Sequence, residues 1–178
     1  MSSKGEEMKV EQLMNRAVVA CALSDTMTEA AQRMWDHDCG ALPVTDVDGR
    51  IVGIITDRDV CMAAYTQGRP LHEIAVTSAM SRDVVSCAAS DDLRKVESLM
   101  RERKVRRLPV VDAELKVLGM ISMSDLVRYA DQRPRSSLDR ELVSSLAEIS
   151  APRILEPGFP QGRIGGEPTA LLAIPAPS

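Results

Sequence analysis

The feature that most constrains the fold of this 178-residue chain is an internal repeat. Residues 14–64 align without a gap on residues 80–130, and 17 of the 51 aligned positions are identical. Many of the other positions keep their apolar character. The period of 66 residues is longer than that of a solenoid repeat, and the chain holds two copies. The sequence therefore predicts two homologous halves that pack as one pseudo-symmetric domain.

Both copies predict the same order of elements, β-α-β-β-α, behind a short lead-in helix. The predicted lead-in helices cover 10–14 and 74–80, and the predicted first strands cover 18–20 and 84–86. An amphipathic helix follows in each copy, because apolar residues recur there at helical spacing. These residues are Met27, Ala30, Ala31 and Met34 in the first copy, and Leu93, Val96, Leu99 and Met100 in the second. Thr26 and Glu29 have the spacing of a capping box before the first of these helices.

Each copy then predicts a β-hairpin and a final helix. The predicted hairpin strands cover 41–45 and 51–56 in the first copy, and 108–112 and 117–122 in the second. Asp48 and Gly49 form a hairpin-turn signal, and the final helices are predicted to start at Asp57 and Met123. We expect an α/β (α+β) fold in which two pseudo-symmetric repeats, 8–66 and 74–131, pack as one module.

The composition of the chain changes after residue 132. Residues 133–137 are typical of a linker, and a short helix with Ser136 or Ser137 as N-cap follows. One apolar stripe marks this helix, formed by Leu138, Leu142, Leu146 and Ile149. From 151 to 178, Pro and Gly recur without a period, which predicts a disordered tail. We expect the helix to pack on its own domain or on a dimer mate.

The composition disfavours several classes of function. The net charge is −4 and aromatic residues make up 2% of the chain, which disfavours nucleic-acid binding. No apolar run approaches the roughly 20 residues of a membrane span, and no secretory signal is evident, so a cytoplasmic location is expected. Two histidines and no CxxC pair offer little for a metal site. The cysteines are expected to be reduced, small, buried residues, namely Cys21, Cys39, Cys61 and Cys87.

The sharpest local motif lies where the second hairpin strand meets the final helix. Residues 53–59 and 119–125 both fit G-h-h-[ST]-x-x-D, where h is apolar. The N-terminus of a helix behind a strand attracts anions, because its N–H groups are free and its dipole end is positive. A carboxylate at this place can accept hydrogen bonds from ribose hydroxyls. The same residues also form a capping-box variant, which is the structural alternative to nucleotide binding.

With these motifs in place, the segment from Val10 to Ala130 resembles a tandem pair of cystathionine-β-synthase (CBS) domains, the Bateman module. The resemblance is carried by an [AR]-L-P-V-x-D motif in each hairpin and by the two junction motifs. It is strongest toward small stand-alone bacterial CBS-pair proteins. It implies two clefts between the halves that bind an adenosyl ligand, such as AMP, ADP, ATP or S-adenosylmethionine, as a regulatory ligand. No further cofactor and no metal are implied.

The resemblance also implies which residues form each cleft, with the base-side wall from one copy and the ribose carboxylate from the other. The first cleft joins Thr56, Arg58 and Asp59 to Val85, Arg106 and Arg107. The second cleft joins Ser122, Ser124 and Asp125 to Val19, Gly40 and Ala41. Because family members place basic residues for phosphate at Arg106 and Arg107, the first cleft is expected to prefer phosphorylated ligands. A place on the solvated surface is the alternative for these arginines.

Three functions remain open at this point. The first is a non-catalytic sensor, expected to be a homodimer, that acts in trans on an unknown effector protein through a ligand-dependent conformational change. The second is a structural interaction protein with degenerate clefts that docks through the helix at 137–149. The third is an enzyme that is redox-active through Cys39 or Cys61, which the sequence favours least because it shows no nucleophile–base pair.

Overall fold

The computed structural model describes residues 8–131 together with residues 145, 146, 148 and 149, and it shows two repeats of the same architecture. The first repeat contains β1 (Cys21–Ala22), α1 (Met27–Asp36), β2 (Ala41–Thr45), β3 (Ile51–Thr56) and α2 (Asp57–Gln67). The second contains β4 (Cys87–Ala88), α3 (Leu93–Arg103), β5 (Arg107–Val111), β6 (Val117–Ser122) and α4 (Met123–Asp131). In each sheet the short first strand runs parallel to the second, and the second pairs antiparallel with the third. The α+β fold of two packed repeats is confirmed.

The first strand of each repeat lies three residues later than predicted. Strands were predicted at 18–20 and 84–86, but the strands are β1 and β4. Parallel pairing of Cys21 with Val44 buries the cysteine in the core. Val18 and Val19 have high strand propensity, yet they form no ladder and border a cleft instead. The predicted lead-in helices are correspondingly reduced to single 3₁₀ turns, Val10–Gln12 and Val76–Ser78.

The first helix of each repeat supplies the core through the predicted stripe. Thr26 and Glu29 form the predicted capping box, in which the Thr26 N–H donates to Glu29 Oε2 at 2.7 Å. The side chains fully enclosed by the strands and the other helix are Met27, Ala30 and Met34 in α1, and Leu93, Val96 and Met100 in α3. Ala31 and Leu99 are half-buried at the edge of each stripe.

The two repeats exchange their lead-in segments. The lead-in segments are residues 10–20 and 74–86, which precede the first strand of each repeat. Val10 and Met14 of the first segment are buried in the core of the second repeat. Val76 and Met80 of the second segment are buried in the core of the first repeat. Two antiparallel bridges fix this exchange, between Asn15 and Met120 and between residues 54 and 81, with N–H to O distances of 2.9 Å. Neither repeat can therefore separate without opening both cores.

The glycine that opens each junction motif is required by this exchange. A Cβ on Gly119 would lie 2.8 Å from Met14 Sδ and 2.9 Å from the Asn15 carbonyl oxygen. A Cβ on Gly53 would lie 2.7 Å from Met80 Sδ. Real Cβ atoms do not approach other atoms this closely, so only glycine lets the lead-in segment cross the strand. The first position of the motif is explained by packing between repeats.

A short part of the C-terminal segment packs on the second repeat. Ile149 is buried in the core of that repeat, and Leu146 is half-buried against it. The hydroxyl of Ser145 donates to Glu97 Oε1, and both side chains are buried. The rest of the helix predicted at 137–149, the linker at 133–137 and the tail at 151–178 lie outside the described residues.

Candidate functional site

The two junction motifs have the same internal geometry. In the second repeat, Asp125 Oδ2 accepts from the Ser122 N–H at 2.8 Å and from the Ser122 hydroxyl at 2.6 Å. In the first repeat, Asp59 Oδ2 accepts from the Thr56 N–H at 2.9 Å and from the Thr56 hydroxyl at 2.6 Å. The hydroxyls in turn accept from the aspartate N–H groups. Each motif therefore caps its helix through one carboxylate oxygen, Oδ2, and turns the other oxygen, Oδ1, outward from the cap.

A cleft of about 270 Å³ lies beside the second motif, between the two repeats. This volume is close to the lower end of the roughly 300–1,000 Å³ range of small-molecule sites. The residues that line the cleft come from the first lead-in segment, from the α1–β2 connection and the start of β2, and from the second repeat. They are Asn15, Ala17, Val18, Val19, His37, Asp38, Cys39, Ala41, Leu42, Arg107, Met120, Ser122, Asp125 and Arg128.

The lead-in segment supplies the apolar wall of this cleft. Its bridge to Met120 fixes Asn15 beside β6, and Asn15 Oδ1 accepts from the Ala17 N–H at 2.9 Å, which turns the chain. Val18 and Val19 follow this turn and are half-buried. The exchange between repeats thus places two valines of the first copy opposite the helix N-terminus of the second.

Two guanidinium groups give the cleft a positive side. Arg107 is exposed, and among the described residues it forms no ion pair. Its Nη1 lies 3.2 Å from the point where a Cβ on Gly40 would stand. Arg128 pairs with Asp125, and its Nη2 donates to Asp125 Oδ1. An unpaired guanidinium next to a helix N-terminus favours a ligand with phosphate or carboxylate oxygens.

The structure brings four of the six residues assigned to the second cleft into one cavity. Ser122, Asp125, Val19 and Ala41 all line it. The two others do not line the cavity. Gly40 lies behind the guanidinium of Arg107, and Ser124 is exposed on the first turn of α4.

The sequence assigned Arg107 to the first cleft, whereas the structure shows this side chain in the lining of the second cleft. Asp57 of the first junction motif lies beside the same guanidinium, because the Cβ point of Gly40 is 3.2 Å from Arg107 Nη1 and 3.0 Å from Asp57 Oδ2.

In its hairpin, Arg107 lies directly opposite Ser122. Opposite residues of an antiparallel pair project from the same face of a sheet. This register does not by itself select the cleft, because Ala41 lies opposite Thr56 in the first repeat and also lines the second cleft. Arg106 is exposed and does not line this cavity, and its carbonyl oxygen accepts from the Met123 N–H at 2.8 Å.

The residues assigned to the first cleft occupy the equivalent backbone positions of the two repeats and differ in their side chains. Thr56 and Asp59 are joined by the cap described above, and Val85 is half-buried in the lead-in segment of the second repeat. Arg58 is exposed on the first turn of α2. Among the described residues nothing donates to Asp59 Oδ1, since the position equivalent to Arg128 is Met62.

Sequence reasoning missed several residues that line the second cleft. Arg128 lies one turn after Asp125, on the same face of α4, and this i, i+3 spacing was the available signal. His37, Asp38 and Cys39 lie in the connection just before the Leu-Pro-Val motif. A loop residue that directly precedes this strand lies close to the cleft that the strand borders. The position of these residues in the sequence was therefore a second available signal.

The cysteines fall into two classes. Cys21 and Cys87 are buried, and burial raises the pKa of both thiols, to about 12 for Cys87. These two match the expectation of small buried residues and stay as neutral thiols at neutral pH. The same expectation is wrong for Cys61, which is exposed, and only partly right for Cys39, which is half-buried in the cleft.

Two features are absent from the part of the chain that the structure describes. Within it, no group of three or more His, Cys, Asp or Glu side chains is arranged to hold a metal ion. Within the same residues, no helix has the length and apolar character needed to cross a membrane.

Comparison with known proteins identifies the family. Hypoxic response protein 1 of Mycobacterium tuberculosis (strain CDC 1551 / Oshkosh) is 30% identical over 139 residues, which are 78% of this chain and 96% of that protein. The CBS-domain-containing protein ATU1752 from Agrobacterium tumefaciens has a solved structure that matches with a TM-score of 0.60 and 32% identity. This match covers 68% of this chain and 97% of that one.

A third solved structure shares the fold at lower identity. The CBS domain pair of protein MJ0100, in complex with 5′-methylthioadenosine and S-adenosyl-L-methionine, matches with a TM-score of 0.66 and 22% identity. The match covers 72% of this chain and 100% of that one. The CBS domain family itself matches residues 10–65 and 74–131. The chain therefore belongs to the CBS domain family and carries a tandem pair of CBS domains.

Proposed function

We propose that the chain is a regulatory module that binds an adenosyl ligand in the clefts between its two repeats. The observation that carries the proposal is the second cleft, in which a helix-capping Ser-x-x-Asp motif, an apolar valine wall and an unpaired arginine border one cavity. An adenosyl ligand offers a flat apolar base, a ribose diol and a charged tail. Each of these parts has a chemical counterpart in the cleft.

The base and the ribose match opposite walls. Val18 and Val19 form the apolar surface for the adenine ring, and burial of that ring would stabilise the complex. Asp125 accepts from the ribose hydroxyls, as acidic residues do in dinucleotide folds. The solved complex of the MJ0100 domain pair with two adenosyl ligands supports this ligand class.

The tail distinguishes the two clefts, and the preference is the reverse of the one expected from the sequence. Arg107 borders the second cleft, so this cleft should prefer AMP, ADP or ATP over adenosine. The first cleft keeps Thr56, Asp59 and Val85 as its proposed contacts, with Arg58 and Arg106 at its exposed rim. It should accept ligands with uncharged or cationic tails, such as 5′-methylthioadenosine or S-adenosylmethionine.

The output is proposed to be regulation in trans, without catalysis, by a homodimer in the cytoplasm. Each cleft has walls from both repeats, so a ligand that contacts both walls changes how the repeats pack. The exchanged lead-in segments connect each wall to the core of the other repeat. A conformational change in one cleft would therefore reach both halves and the surface offered to an effector protein.

The test is isothermal titration calorimetry of the full chain with AMP, ATP, adenosine and S-adenosylmethionine, followed by alkylation of Cys39. Because Cys39 lines the second cleft, AMP should slow its reaction with iodoacetamide at the concentrations that saturate the heat signal. Cys61 is the internal control, since it is exposed on α2 and outside that cavity, and its rate should not change.

The outcomes separate the candidate functions. Binding of at least one adenosyl ligand, with protection of Cys39 by AMP, supports the proposal. No binding of any of the four ligands up to millimolar concentration would contradict it and favour the structural interaction protein. Consumption of a bound ligand that is lost in a chain without Cys39 and Cys61 would favour the enzyme.

A further inference from the structure

We propose that Arg128 makes the second cleft selective for phosphorylated ligands, because it competes with the ribose for Asp125. The inference rests on the proposed function and names the ligand class of this one cleft. Arg128 Nη2 donates to Asp125 Oδ1, and the Ser122 N–H and hydroxyl donate to Oδ2. Both carboxylate oxygens are therefore engaged before any ligand enters.

The equivalent carboxylate of the first cleft is open. Thr56 engages Asp59 Oδ2, and no described residue donates to Asp59 Oδ1. Met62 occupies the position of Arg128 and is exposed. Its thioether has no donor for Asp59 Oδ1. The two ribose acceptors thus differ by a single guanidinium, while their caps agree within about 0.1 Å in both donor distances to Oδ2.

A ribose diol that donates two hydrogen bonds to Asp125 competes with Arg128 for Oδ1, because Ser122 already donates two hydrogen bonds to Oδ2 and each oxygen has two lone pairs. The arginine side chain is 69% exposed and the aspartate side chain 15% exposed. The ion pair is therefore partly solvated and weak. Its loss corresponds to about a fivefold loss of affinity for any ligand that gives nothing in return.

A phosphorylated ligand compensates for this loss. The displaced guanidinium of Arg128 stays at the wall of a cleft that Arg107 also borders. Adenosine would leave the displaced guanidinium of Arg128 without a phosphate partner. The phosphate of AMP accepts hydrogen bonds from both guanidinium groups and neutralises them. Arg128 thus exchanges the carboxylate of Asp125 for the phosphate of the ligand. Binding of the ribose at Asp125 is therefore coupled to the presence of this phosphate.

The experiment compares AMP with adenosine in four full-length chains, all carrying Cys61→Ser so that Cys39 is the reporting thiol. They are the parent, Arg128→Met, Arg128→Lys and Met62→Arg. Arg128→Met gives the second cleft the residue of the first. We expect adenosine to bind about fivefold tighter, AMP to bind more weakly, and the ratio of the two affinities to fall about tenfold or more.

The other two chains are controls. Arg128→Lys keeps a cation at this position and should retain most of the preference for AMP. Met62→Arg changes the equivalent position of the first cleft and should leave the protection of Cys39 unchanged. Positions 62 and 128 are exposed, so thermal melts should show folded chains.

The results distinguish failure of the inference from failure of the proposed function. If AMP and adenosine both protect Cys39 and their affinity ratio is the same in Arg128→Met as in the parent, the role of Arg128 is wrong and the ligand class stands. If neither compound protects Cys39 in the parent up to millimolar concentration, the proposed function fails and this inference fails with it.

Discussion

The two junction motifs of this module share a backbone and differ in the side chains around them. Strand pairing, helix caps and exchanged lead-in segments are equivalent, down to the glycines at 53 and 119. The side chains around the caps are not equivalent, because Arg128 pairs with Asp125 in the second repeat and the same position of the first repeat is Met62.

Packing between the repeats and the choice of ligand depend on different positions. The exchange between repeats fixes the backbone of both clefts at once, so neither backbone can change without the other. The positions beside the caps are exposed, and substitution there costs little stability. Two copies of one fold can thus acquire different ligands through a few exposed residues.

The shared backbone is tested by the largest expected effect. Gly119→Val and Gly53→Val should each destabilise the whole module by about 3 kcal/mol, because each introduces a side chain against a buried methionine and a backbone carbonyl. Chemical denaturation followed by circular dichroism measures the loss. Equal losses at the two positions support a single module, whereas an effect confined to one repeat would show that the halves fold independently. Gly49 has a positive φ in an open turn, and a Cβ there would contact nothing within 4 Å. Gly49→Ala therefore tests backbone strain without a steric clash.

The ribose role of the first cleft is tested by a smaller effect. Asp59→Ala should weaken binding of S-adenosylmethionine at this cleft by about 2 kcal/mol, because a charged acceptor of the ribose hydroxyls is lost. Loss of the helix cap should cost about 1 kcal/mol of stability, so the chain stays folded. Calorimetry measures the affinity, and Asp57→Ala on the same helix turn is the control for a general loss of negative charge. Unchanged binding in Asp59→Ala would restrict this residue to helix capping.

The smallest expected effect concerns Asp91, which lies in the turn that precedes α3. Asp91 is partly desolvated, which opposes its ionisation, but hydrogen bonds from Lys95 and the Ala88 N–H outweigh this and lower its pKa below the ordinary 3.8. A lowered pKa stabilises the fold above that pH, and the stabilisation is lost as the pH falls through the folded-state value.

Asp91→Asn keeps an acceptor for the Ala88 N–H and removes the charge that pairs with Lys95. It should lower stability by about 0.5 kcal/mol at pH 6, as expected for an exposed i, i+4 pair. Urea midpoints at pH 6 and pH 3 measure the gap between the variant and the parent. The gap should narrow at pH 3, and a gap that stays the same at both pH values would show that the charge is not the cause.

Sequence periodicity predicted the parts of the fold that depend on local patterns. The capping box at Thr26, the first hairpin and the starts of α2 and α4 all follow from short-range signals, and the structure has them where expected. The first strands were misplaced because Val18 and Val19 combine strand propensity with a place at a cleft. Only the long-range pairing of Cys21 with Val44 decides which residues form the ladder.

The features of the cleft that occur in both repeats were predictable. The junction motifs identified both carboxylates and both hydroxyls from sequence alone. The position of the Arg107 side chain relative to the clefts was not predictable, because it depends on the exchange of lead-in segments, which pairs residue 15 with 120 and residue 54 with 81. These are contacts between residues far apart in the chain, and no local pattern encodes them.

The central claim is that the cleft of Ser122 and Asp125 binds a nucleotide phosphate through Arg107. It is tested most directly by the affinity of AMP, measured as protection of Cys39 from alkylation, in the parent chain, Arg107→Ala and Arg106→Ala. We predict about a tenfold loss of AMP affinity in Arg107→Ala, as expected when a charge-assisted hydrogen bond is removed, and little change in Arg106→Ala. Equal AMP affinity in all three chains would contradict the claim and return Arg107 to the solvated surface.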